Sequence, residues 1–117
     1  MRKGYKAERE LFNLLLQKGY AVVRVAGSGN PLTPCDLIAG NIKNKVCVEI
    51  KESKDERKYI KKEQVDMLVN FSKKFGLKPF VAIKFKRKGW KFFSLEDLDK
   101  VESFFVAKIE KGKNFLE

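Results

Sequence analysis

The sequence of 117 residues predicts an α/β fold with a central β-sheet flanked by helices. Three patterns carry that prediction. Tyr5 to Lys18 places Ala7, Leu11, Leu14 and Leu15 at helical spacing, and Gly19 follows as the terminating residue. Lys45 to Lys51 (Lys-Val-Cys-Val-Glu-Ile-Lys) alternates Val46, Val48 and Ile50 with Cys47, Glu49 and Lys51, the strict period of two that marks a strand. Pro79 to Phe85 is an apolar run of the kind found in strands buried on both faces.

The remaining elements fall between these anchors. Tyr20 to Ala26 reads as a short strand carrying Arg24, followed by a loop over residues 27–34 rich in glycine, proline and small polar residues. That loop is either a plain connector or a place where backbone amides and Ser28 meet a phosphate. Asp36 to Gly40 is a second strand, joined through 41–44 to Lys45–Lys51 as a hairpin. Glu52 to Lys62 is a dense charge run, read as a solvated loop. A second helix runs from about Ile60 to Phe75. Ile60, Gln64, Met67, Leu68, Phe71 and Phe75 share one of its faces, and Val65 and Val69 widen it. The stripe suits burial against the sheet or partial cover by a partner subunit. Trp90 to Phe93 is a further strand, Ser94 to Asp97 has the form of a capping box, and Phe104 to Ala107 reads as a last edge strand. The chain forms one domain over 1–117, with residues 110–117 expected as a mobile tail.

Composition narrows the function. Lys and Arg number 26 against 15 Asp and Glu, a net charge of +11 that favours polyanions, nucleic acid first. No apolar run approaches the ~20 residues of a membrane span and no signal-peptide pattern opens the chain, so a soluble, cytoplasmic protein with no membrane partner is expected. Histidine is absent, which excludes Ser-His-Asp and Cys-His nucleophile systems and any imidazole base. Acid–base chemistry must then come from carboxylates, lysines or metal-bound water. Cys35 and Cys47 lack metal-ligand spacing and are expected to stay reduced, Cys47 as a small strand residue.

On a strand, Glu49 and Lys51 emerge side by side from one face. With Asp36 upstream on another apolar segment, they form a constellation suited to metal-dependent phosphodiester cleavage. Glu-x-Lys is equally an ordinary ion pair in a lysine-rich chain, so the motif alone does not decide. Glu8 sits at the margin of the first helix's stripe, where it either leans over the sheet edge or serves the helix dipole.

Lys3-Gly4…Ala7-Glu8-Arg9-Glu10, Val23-Arg24…Ala26-Gly27-Ser28, Asp36-Leu37-Ile38-Ala39-Gly40 and Val48-Glu49-Ile50-Lys51 together resemble the archaeal Holliday junction resolvases. The similarity continues through Phe71-Ser72-Lys73-Lys74-Phe75 and Gly89-Trp90. It implies a restriction-endonuclease-like core with a mixed central sheet, a homodimer, and magnesium-dependent nicking of four-way DNA junctions. It also implies a catalytic set of Glu8, Asp36, Glu49 and Lys51, with Mg²⁺ on Asp36, Glu49 and the Ile50 carbonyl, Glu8 as an additional ligand, direct or through water, and Mn²⁺ as a substitute. Arg9, Arg24 and Ser28 match positions tied to DNA, and Phe71 and Phe75 match the dimer helix. The loop before Asp36 departs from the family pattern in carrying Pro31 and Pro34, with Cys35 between proline and acid. Two other readings are a non-catalytic basic nucleic-acid-binding protein and a restriction-type nuclease of the same fold that cuts duplex DNA. No replication or recombination protein is specified as a partner.

Overall fold

The computed structural model describes residues 4–27 and 32–116. Helix α1 (Tyr5–Gln17) leads into a five-stranded sheet of β1 (Ala21–Arg24), β2 (Leu37–Gly40), β3 (Lys45–Ser53), β5 (Lys78–Phe85) and β6 (Gly89–Phe93), in that spatial order. β2 and β3 form the expected hairpin, with Leu37 opposite Val48 and Ala39 opposite Val46. β3 and β5 run parallel and are connected through helix α2 (Lys62–Phe75), so the sheet is mixed. Parallel neighbours need such a crossover, which buries both faces of the strands it links.

Side-chain parity on β3 divides the core. Val46 and Val48 point to the face covered by Leu11 and Leu15 of α1, together with Leu37, Ala39, Phe80, Ala82 and Phe92. Cys47 points to the opposite face, where Val65 and Leu68 of α2 meet Val81, Ile83, Phe85 and Phe93. Glu49 and Lys51 share the parity of Cys47 and therefore emerge on the α2 side. The thiols of Cys35 and Cys47 are free and buried; a hydrogen bond with Cys35, and then burial, push the Cys47 thiol up.

Three expectations change. Residues 57–61 lie inside the run read as a solvated loop, yet they form β4 (Arg57–Lys61), and α2 begins at Lys62 rather than Ile60. Only Ile60 of that strand is fully buried, so its alternation is hidden by flanking charge. The Phe104 segment, expected at an edge, is β8 (Phe104–Lys108). It lies in the middle of a second, three-stranded sheet between β4 and the three-residue β7 (Asp99–Val101). The expected mobile tail is docked. Lys113 exchanges two 2.8 Å backbone hydrogen bonds with Phe92, and the Phe115 ring meets those of Tyr20 and Phe92 edge-on. Gly112 permits this approach, since a Cβ there would stand 2.7 Å from Lys91 Cβ and 2.8 Å from the Phe93 ring.

Leu116, 5% exposed, belongs to the α1-side core. Leu116→Ala is expected to cost about 2–3 kcal/mol in urea unfolding, as for other buried leucines. A loss below about 0.5 kcal/mol would show the terminal segment to be loosely held.

Candidate active site

The functional side chains meet where β2 begins and β3 continues past it. Asp36 immediately precedes β2. Its backbone extends the ladder in both directions, donating to the Val48 carbonyl and accepting from the Val25 amide, each at 2.9 Å. Beyond this point the Ile50 amide faces no strand partner on that edge. Asp36 supplies one, its Oδ2 accepting the Ile50 N–H at 2.7 Å. The N–H and C=O of one extended residue leave the same edge of the strand, so the Ile50 carbonyl also faces the Asp36 side.

Glu49 stands one residue earlier on β3, mostly buried, with 18% of its side chain exposed. Its carboxyl is pushed up to about 8, first by burial and then by the negative charge of Asp36, against the pull of Lys51. Its Oε2 lies 3.4 Å from Lys51 Nζ, while its Oε1 is buried without a hydrogen-bond partner. Two carboxylates crowded in a low-dielectric niche, one with an orphaned oxygen, are the kind of donors that a hard divalent cation could take. Asp36, Glu49 and the Ile50 carbonyl therefore fit such an ion.

Glu8 is not gathered into this set. Among the described residues no three acidic or other metal-ligating side chains converge closely enough to hold one ion. Instead Glu8, 8% exposed at the start of α1, pairs with Arg24 of β1, Oε2 to Nε at 3.0 Å. The pair lacks hydrogen-bond alignment and is a charge contact. Arg24 also lies over the Tyr5 ring, 5.8 Å from its centre. The start of α1 nevertheless belongs to the same end of the sheet, since Gly4 lies beside the Glu52 carboxylate. Arg9 is exposed next to Glu8, whereas Ser28 lies outside the described residues.

Phe71 and Phe75 are on the second half of α2, their rings 5.6 Å apart, with Phe75 exposed by 59%. One residue acquires a role the sequence did not suggest. Gln64, placed there only on the apolar stripe, accepts a hydrogen bond from Lys51 Nζ through Oε1 at 3.2 Å. A polar amide in the first turn of an otherwise apolar stripe was its only signal in the sequence.

The Glu49 shift has a pH consequence. In the unfolded chain this carboxyl loses its proton near 4.5, in the fold near 8, so between those values the folded state holds more protons. Stability of the metal-free protein therefore falls as pH rises from 4.5 to 8 and levels off above. Glu49→Gln is expected to remove this part of the slope and to stabilise the chelator-treated protein by about 2–4 kcal/mol at pH 8, read by urea unfolding across pH.

The family model described as archaeal Holliday junction resolvase matches residues 1–117. The crossover junction endodeoxyribonuclease Hjc of Archaeoglobus fulgidus is 39% identical over 104 residues, covering 88% of this chain and 76% of that protein. The Hjc of Methanocaldococcus jannaschii is 46% identical over 84 residues, covering 72% of this chain and 60% of that protein. The solved structure of Archaeoglobus fulgidus Hjc, a Holliday junction resolvase, superposes with a TM-score of 0.86 at 36% identity, covering 92% of this chain and 91% of that one. By sequence and by fold, the chain belongs to the archaeal Holliday junction resolvase family.

Proposed function

We propose that the protein is a structure-selective endonuclease that resolves four-way DNA junctions by metal-dependent phosphodiester hydrolysis, acting as a homodimer. The observation that carries the reading is the buried Glu49 carboxylate with an unpartnered oxygen, charge-coupled to Asp36 and contacted by Lys51. A purely architectural DNA binder has no use for such a group, which costs stability in the free protein.

Asp36, Glu49 and the Ile50 carbonyl would hold Mg²⁺, with Mn²⁺ accepting the same oxygens. When bound, the ion supplies polarisation of the scissile phosphate and a more acidic water. The chain does the rest. Asp36, fixed by the Ile50 amide, sets where the phosphate is received. Lys51 directs an N–H at the water or at the non-bridging phosphate oxygens and offsets charge that develops there. Glu8 acts at longer range, through water, from the flank it shares with Arg24. Arg9 and Arg24 are cations for the DNA backbone, within a net charge of +11 that draws in a polyanion.

A junction presents strands related by approximate two-fold symmetry, and two equivalent nicks follow most simply from two related active sites. The exposed end of α2 at Phe75, packed against the tilted Phe71 ring, supports a self-complementary contact there.

Two experiments test these readings. With Mg²⁺, the purified protein should nick a synthetic four-way junction and leave the matching linear duplex intact. Asp36→Asn and Glu49→Ala should each lower cleavage at least about 100-fold while retaining junction binding. Equal cutting of duplex would favour a restriction-type activity, and full activity in Glu49→Ala would exclude this site. In sedimentation, Phe75→Ala should shift the protein towards monomer; an unchanged dimer mass would place the interface elsewhere.

A further inference from the structure

The geometry assigns Gln64 as the positioning residue for Lys51. This rests on the reading of Lys51 as the cation that meets the scissile phosphate, and adds how that cation is aimed. A lysine head on a four-carbon stem is rich in rotamers and has no preferred direction of its own. Here it is bracketed from two elements. Glu49 Oε2, on its own strand, lies at 3.4 Å, and Gln64 Oε1, on the first turn of α2, at 3.2 Å. The assignment of the oxygen is forced, because an ammonium only donates. One N–H thus donates to Gln64 while Glu49 is a charge contact, which leaves the other ammonium donors for a ligand.

The chemistry of the two partners differs in a way that matters. A carboxylate that turned to a bound cation would loosen its hold on Lys51, so Glu49 would be the weaker anchor once an ion is held. Gln64 is uncharged and stands outside the proposed donor set. It can orient the ammonium without neutralising it, which a glutamate in its place would do. Its base is firm although its tip is exposed, since the neighbouring helix positions Val65 and Leu68 are 3% and 2% exposed in the core. The nearby acid Asp66 is occupied by Lys62 at 2.7 Å and so does not compete for Lys51.

The test uses the full chain, a synthetic four-way junction, and Gln64→Met, which keeps the length of the side chain and removes the acceptor. The expected result is a single-turnover cleavage rate lowered about 10- to 100-fold with Mg²⁺, at unchanged junction affinity in metal-free buffer and unchanged melting temperature. Residue 64 acting through residue 51 also requires that Gln64→Met add no further loss to Lys51→Ala, measured by prolonged incubation. A wild-type rate in Gln64→Met, a loss confined to affinity, or an equal additional loss in the double variant would each overturn the proposal while leaving the site intact. A wild-type rate in Lys51→Ala would instead remove the reading of the site, and this assignment with it.

Discussion

One hydrogen bond lets the rest of the site exist. β2 begins only at Leu37, opposite Val48, while β3 runs on to Ser53, so the sheet has a step in its edge, and the first β3 amide beyond the ladder needs a partner. The Ile50 N–H finds it in Asp36 Oδ2. An unpaired amide at this depth would cost about 1–3 kcal/mol, so the contact is structural before it is chemical. Its by-product is a carboxylate locked beside Glu49 and against the edge that carries the Ile50 carbonyl. The step in the sheet thus creates an oxygen-lined niche, and burial there explains why the Glu49 carboxyl is pushed up to about 8.

The sheet and its two helices were legible because their signals are periodic and local. Alternation along 45–51, the apolar run at 79–85 and the helical stripe of 5–18 each correspond to an element within a residue or two. The second sheet was not legible. β4 hides its one core residue, Ile60, among charges and at a spacing that also suits the following helix, while β7 is three residues long. The docking of the terminal segment depends on Gly112 crossing Phe93 and on Phe115 reaching Tyr20, long-range contacts that local composition does not encode.

The site divides in the same way. That Glu49 and Lys51 share a face follows from strand parity, and their 3.4 Å contact agrees with it. Their meeting with Asp36 follows from the hairpin, since its register places Leu37 opposite Val48. Glu8 was expected around the same ion. Helical spacing located it at a margin but could not say which neighbour it would face, and that neighbour is Arg24. Gln64 escaped notice because the contact is between a helix and a strand 13 residues apart in sequence, a distance at which pattern carries no information.

The pairing of Glu8 with Arg24 sets a condition on how this flank meets an anion. An anionic group that drew the guanidinium outward would leave a mostly buried carboxylate without its counter-charge, so the newcomer and Glu8 compete for one cation. Net attraction at this flank is therefore smaller than an unpaired arginine would give, and it depends on where the guanidinium is held rather than on charge alone.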